Sequence, residues 1–400
     1  MRFAARPVWL ADEVFQSGLL PDRSNYLLFV TAHYTPTPSP FRLADHLRQR
    51  IKEEGPITFR DWMEAALYDP QDGYYCRPTE RWGRAGDYRT SPERSPLFAA
   101  TFARYFNTLF EALERPAHWI IAEAGSGEGQ FAEVVLDTLQ QRFPEVFAAT
   151  TYIVDEISPA STAAAKVRLA RFGNRVEFAH LQQLKISEVG VIFSNELLDA
   201  FPVHRVTVSN GELRELYVAL DQGDKFAWLP GPLSTPQLIE YFNLVGVQLM
   251  NEGQVAEVNL AAPAWLAEAA AKFSRGYVVT VDYGAEATEL YHAPERRQGT
   301  LRAFRRHEFR DPLEDPGQND LTTTVDWTHI RFVGERLGLE VVEFQRQDQF
   351  LLHAGLLDEL ELRADEAKDE AAKISLRSSA REMILPTGMA HSFQVLVQKK

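Results

Sequence analysis

Carboxylates and glycines at close spacing are the chemistry-bearing residues of this chain. Glu123 is followed by Gly125, Gly127 and Gly129 at alternate positions, with Glu128 inside the run AEAGSGEGQF. Glycines there let a ligand approach the backbone and permit positive φ. A dinucleotide loop would space them G-x-G-x-x-G, so that pyrophosphate rests on a helix N-terminus. Here the spacing is G-x-G-x-G, and two carboxylates beside a pyrophosphate would repel it. They suit a cationic ligand, and S-adenosylmethionine carries both a sulfonium and an ammonium group. A second pair of acids, Asp155 and Glu156, closes the apolar stretch TYIVDEISP. Glu156 at that position could accept both ribose hydroxyls of a nucleoside. The plainer alternative is that these acids cap the next helix, with Ser158 as N-cap.

A third cluster is SNELLDAF, with Asn195, Glu196 and Asp199. A short helical turn would bring Asp199 alongside Glu196 by three-residue spacing. A capped helix with Glu196 at its dipole explains that one acid, but not the whole cluster. The loop GDYRTSPERSPLF (Gly86 to Phe98) mixes aromatics, acids and hydroxyls, as a lid or site wall does. It offers Gly86, Asp87 and Thr90 as further cofactor contacts. Asp87, Asp282 and Asp320 are reserve acids.

Strands and helices must hold these groups in place. Trp119 to Ala122 reads as a buried strand, and Phe131, Val134, Val135 and Leu139 follow at helical spacing. Strand, glycine turn and helix form the first unit of a nucleotide-binding α/β fold, whose ligands sit at the carboxyl ends of the strands. Later strands are expected at Thr151 onward, within Glu177 to Leu184 (a third strand with its exit loop), and at Val189 to Asn195, GYVVTVDYG, GLEVVEFQRQ and HSFQVLVQKK. Helices are expected from Phe41, from Phe59 and over Leu97 to Leu113. The stretch RVTVSNGELRELYVAL alternates about Ser-Asn-Gly and predicts a β-hairpin. The expected organisation is a poorly defined extension over 1–40, a helical or lid region over 41–115 and a core over 116–400. That core carries an insertion at about 207–257 and a long loop at about 285–326.

Forty-two basic and 56 acidic residues give a net charge of −14 over 400 residues. That charge argues against nucleic acid as a partner, since phosphate binding rests on Lys and Arg, and it permits a basic protein substrate. No apolar run reaches the roughly 18 residues of a membrane span. The lone Cys76 excludes an internal disulfide framework and suits a reducing compartment. No Cys or His pair has zinc-ligand spacing, so no metal is expected. Asp12, Glu13 and Asp22 argue against a mitochondrial presequence.

Several separated blocks, in order, resemble the S-adenosylmethionine-dependent protein arginine methyltransferases of the MidA type, which assist mitochondrial complex I assembly. They are ITFRDWMEAALYDPQDGYY, GDYRTSPERSPLF, EAGSGEGQF, DEISP, SNELLDAFPV, VDYG, GTLRAFRRHEFRDPLEDPGQNDLTTTVDW and MAHSFQVLVQ. The resemblance spans roughly Phe41 to Lys400. It implies an α/β, Rossmann-like, seven-stranded methyltransferase sheet with an N-terminal helical part and an insertion after strand four. It further implies symmetric dimethylation of an arginine in a 49-kDa-type subunit of respiratory complex I. The compartment would be the cytoplasm of a bacterium or the matrix of a mitochondrion. The family usually has Pro, Arg and Thr where Ser126, Glu128 and Gln130 stand, and often His where Thr324 stands.

On this resemblance the acceptor is a guanidinium, which stays protonated because its pKa exceeds about 12. A site must orient it and help it lose a proton. Carboxylates do so through charge-assisted hydrogen bonds, which makes Glu196 and Asp199 the candidate catalytic residues, with Asn195 orienting. A non-catalytic assembly chaperone that retains the fold is the alternative. A dehydrogenase is disfavoured by the loop spacing.

Overall fold

The computed structural model describes residues 42–77, 95–184, 187–306, 308–385 and 392–400. Residues 1–40 and the candidates Gly86, Asp87 and Thr90 lie outside them. The chain folds as two units, each assembled from distant segments. One comprises, among the described residues, 42–77, Asp199–Ala267 and Ala285–Leu339. The other comprises, among the described residues, those from Ser95 to Leu198, Glu268–Gly284 and Glu340–Lys400. Helix Pro96–Ala112, within the stretch read as an N-terminal helical region, belongs to this second unit.

The second unit is built on a sheet whose main path has seven strands. They are β1 (Trp119–Ala124), β2 (Thr150–Asp155), β3 (Val176–Phe178), β4 (Ser187–Asn195), β5 (Phe273–Ala285), β6 (Glu340–Arg346) and β7 (Phe393–Lys399). Their spatial order is 3-2-1-4-5-7-6. The first five run parallel, while β7 is antiparallel to both β5 and β6. Strand order reverses between β1 and β4, and in such sheets the crevice at the carboxyl ends of those strands takes the ligand. Helix Pro96–Ala112 starts at Ser95, whose Oγ accepts from Leu97 N, and has proline in its first turn. Four-residue spacing puts Phe98, Phe102 and Phe106 on one face. They pack on Phe131 and Phe193, which stack at 4.4 Å and 2°. Trp119, at the start of β1, donates from its indole to Thr150 Oγ1 at 2.8 Å and so ties β1 to β2.

The first unit carries helices Arg42–Glu54 and Phe59–Tyr68 and an antiparallel sheet. Its strands lie in the order Ile57–Thr58, Glu212–Leu220, His204–Ser209, Val255–Val258, with Phe226–Gly231 also paired to Glu212–Leu220. The expected hairpin is present. Ser209 pairs with Glu212 across Asn210 and Gly211, both at positive φ, as a tight two-residue turn requires. The expected long loop at 285–326 needs correction. It contains helix Ala287–His292 and a small sheet of Arg302–Arg305, Glu308–Phe309 and Asp320–Thr322. Strands of two to four residues are too short to show alternation, and the pairing of Arg302–Arg305 with Asp320–Thr322 is distant in sequence.

Candidate functional site

The turn after β1 is anchored by its neighbour. Gly125 N and Ser126 N donate to Asp155 O at 2.8 and 3.3 Å, so the end of β2 holds the start of the loop. Gly127 and Gly129 have φ of +56° and +78°, which L side chains rarely adopt. Their surroundings differ. A Cβ on Gly127 would enter open space, whereas one on Gly129 would stand 3.2 Å from both Ala165 Cβ and Leu169 Cδ1. Gly129 therefore lets the following helix, Gln130–Arg142, start close against helix Pro159–Leu169. Gly127 leaves the loop backbone bare toward open space.

The two acids after β2 point to different tasks. Glu156 turns to the glycine loop, where Oε2 accepts from Gly127 N at 2.7 Å, and Oε1 accepts from Ser158 N at 2.7 Å. Asp155 turns to the segment after β3, accepting from Leu181 N at 3.0 Å and facing His180 Nδ1 at 3.0 Å. Ser158 is the N-cap of helix Pro159–Leu169, as the capping alternative had it. Capping and loop contact therefore coexist, and Glu156 is the acid that touches the loop.

Glu123 is buried near the end of β1, 5% exposed, and its Oε2 accepts from the Tyr152 hydroxyl at 2.7 Å. Burial raises its pKa to about 8. The charge of Glu156 adds to that rise, and the Tyr152 hydrogen bond opposes it. Without a cation beside it, this carboxyl keeps its proton at neutral pH. Tyr152 was not singled out in the sequence, although a tyrosine inside an apolar strand signals a buried hydroxyl in need of a partner.

Asn195 ends β4, and its Nδ2 donates to Glu196 Oε1 at 3.2 Å. Glu196 has φ of +52°, and its amide donates to Val281 O at 2.9 Å. A glutamate in the left-handed region costs about 1–3 kcal/mol unless its surroundings enforce it. The helical spacing expected between Glu196 and Asp199 is not formed. Glu196 is left-handed and lies outside the 3-10 turn Leu198–Ala200. Asp199 is buried and counted with the first unit, where its carbonyl accepts from Thr323 N at 2.9 Å.

Of the reserve acids, Asp320 accepts from the Tyr75 hydroxyl at 2.8 Å within the first unit. Asp282, fully buried at the carboxyl end of β5, accepts from backbone amides of Leu197, Leu198 and Tyr283.

These residues fit a nucleoside with a cationic amino-acid arm. The loop backbone at Gly127 faces open space, and a carboxylate, Glu156, stands beside it. In addition, Ser126 Oγ in the loop and Asn195 Oδ1 at the end of β4 are buried with no hydrogen-bond partner among the described residues. Such atoms are uncommon in native interiors and call for an explanation such as a missing ligand.

A family model for S-adenosyl-L-methionine-dependent methyltransferases matches residues 101–345. The mitochondrial protein arginine methyltransferase NDUFAF7 homolog of Drosophila melanogaster is 27% identical, over 74% of this chain and 70% of that protein. Protein arginine methyltransferase NDUFAF7 of Rattus norvegicus is 26% identical, over 95% of this chain and 86% of its own length. A crystal structure of a COG1565 superfamily member from Burkholderia thailandensis, bound to S-adenosyl-homocysteine, aligns with a TM-score of 0.80 at 28% identity. That alignment covers 92% of this chain and 95% of the other. The strand order, the glycine loop with its acids and these likenesses agree, and the chain belongs to the MidA/NDUFAF7-like family of S-adenosylmethionine-dependent methyltransferases.

Proposed function

We propose that this enzyme methylates an arginine of a protein substrate, the counterpart of the 49-kDa-type subunit of complex I, to the symmetric dimethyl form. The observation that carries the reading is Glu196. It is an acid at the carboxyl end of β4, held in an unfavourable backbone conformation and hydrogen-bonded by Asn195. Strain of this kind clusters at active sites. The names of the relatives, protein arginine methyltransferases, support the choice of acceptor. A net charge of −14 suits a basic side chain.

Glu123, Gly125, Gly127, Gly129 and Glu156 are the proposed cofactor contacts within the described residues. Gly86, Asp87 and Thr90 are proposed from the sequence alone. When bound, S-adenosylmethionine supplies an activated methyl group. The chain's own task is to orient the acceptor nitrogen in line and to assist loss of its proton, and orientation alone can supply much of the acceleration. Glu196 is proposed to make charge-assisted hydrogen bonds to the guanidinium, with Asn195 fixing its rotamer.

The test is labelled methyl transfer to the purified subunit, with its arginines changed one at a time to lysine. Glu196→Gln keeps shape but removes the anion. It is expected to bind S-adenosyl-homocysteine normally and to lose at least about tenfold in turnover, roughly 1.4 kcal/mol. Full activity in that variant would remove Glu196 from the mechanism. Label on another residue type would reject the arginine acceptor, and cofactor binding without transfer to any host protein would favour the assembly chaperone.

A further inference from the structure

The turn that carries Glu196 ought to be unstable by itself. Its first residue is left-handed, and the amides of Leu197 and Leu198 lie just beyond the last ladder pairs of β4. Buried amides must find acceptors. Both find the same one, Asp282 Oδ2, at 3.2 and 2.9 Å. The other oxygen, Oδ1, accepts from the amide of Tyr283 at 2.9 Å. The amide of Glu196 itself goes to Val281 O, one residue before Asp282. Three consecutive amides of the turn therefore end on two consecutive residues of β5. A carboxyl group can accept on both oxygens, and here both are used, two amides on Oδ2 and one on Oδ1. An asparagine would have to turn its NH2 toward an amide.

The clamp also reaches the cofactor loop. Leu197 Cδ1 lies 3.0 Å from where a Cβ on Gly125 would stand, so the Leu197 side chain backs the first glycine. One buried side chain thus fixes, through consecutive residues, the acid at the end of β4 and a packing contact of the loop after β1.

We propose that Asp282 is a positioning residue, whose carboxylate fixes the Asn195–Leu198 turn and thereby holds Glu196 ready for the acceptor. Its effect on turnover rests on the proposed role of Glu196, whereas the clamp itself does not.

The variant is Asp282→Asn, in the full chain. Hydrogen exchange at Leu197 and Leu198 should quicken by at least about tenfold, with β1 and β2 unchanged. S-adenosyl-homocysteine affinity by calorimetry should stay within about threefold, and kcat should fall at least about tenfold with KM for the protein substrate nearly constant. In a Glu196→Gln background, Asp282→Asn should cost little further activity, because residues acting through one another are non-additive. Glu196→Gly takes φ of +52° without strain, so it should shrink the loss of Tm caused by Asp282→Asn, a reading available even if the single variant folds poorly. Unchanged exchange at Leu197 and Leu198, or equal Tm losses with glutamate and glycine at 196, would overturn the clamp whatever the substrate. Additive activity losses would overturn the link to Glu196. Full activity of Glu196→Gln beside faster exchange in Asp282→Asn would instead reject the proposed catalytic role and leave the clamp supported.

Discussion

Glu123 and Glu156 look alike in the sequence, as acids at the ends of adjacent apolar strands, yet their surroundings divide their roles. Glu123 is buried and its pKa is pushed up to about 8. An unfolded glutamate ionises near 4.5, so between these values the unfolded chain has released a proton that the folded chain retains. Stability should therefore fall as pH rises from about 4.5 to about 8, by at most about 1.4 kcal/mol per unit from this group. Urea unfolding at pH 6, 7 and 8 should show that decline in wild type and a shallower one in Glu123→Gln. Equal slopes would mean that Glu123 is already ionised. Binding of the cationic cofactor should tighten with pH over the same range more than binding of its neutral-sulfur product. Glu156→Ala should weaken product binding by about 1–3 kcal/mol and also lower Tm, since Gly127 and Ser158 lose their acceptor. Asp155→Ala, whose acceptors serve Leu181 and His180, should leave affinity nearly unchanged, as calorimetry on the three proteins would reveal. Strand alternation made the opposite facing of these two acids legible in the sequence. The protonation of Glu123 was not legible, because it follows from burial, which segments distant in the chain create around the end of β1.

Among the elements, those with a long local pattern were readable, and those made by distant pairing were not. β1, its glycine turn and the following helix form one continuous signal, and the longer strands of the main path coincide with apolar runs, whereas β3 is only Val-Glu-Phe, starts one residue before the expected stretch and gives way to a 3-10 turn at Leu181–Gln183. The three-strand sheet of Arg302–Arg305, Glu308–Phe309 and Asp320–Thr322 left no such trace. Neither did the Asp282 clamp, which joins residues more than eighty positions apart. The glycine turn provides a test at this scale. Gly127→Ala puts a methyl group into open space, so its stability cost should be limited to left-handed strain of about 1–2 kcal/mol, while cofactor affinity collapses because the methyl group keeps the ligand from the backbone. Gly129→Ala adds a clash with Ala165 and Leu169 and should lower Tm more. Calorimetry and thermal melts on both variants would check this, and equal Tm losses would contradict the packing role of Gly129.

For the whole molecule, no described helix is long and apolar enough to cross a membrane. Each unit is interleaved from three segments, which no continuous pattern in the sequence announces. A chain cut before Phe393 should therefore lose more than an edge strand, because β7 lies between β5 and β6. We expect such a chain to lack cooperative unfolding by circular dichroism, and a sharp, near-native transition would show that the sheet closes without it. The position of β7 also sets a timetable for synthesis. β5 is complete roughly a hundred residues before β7 is made, which at ribosomal speed leaves its free edge unpaired for on the order of 5–20 s. An unpaired apolar strand edge is a template for aggregation. Throughout that interval Asp282 and its turn wait beside a strand edge that β7 has yet to cover, so a nascent chain of this protein is a natural client for a chaperone that covers strand edges.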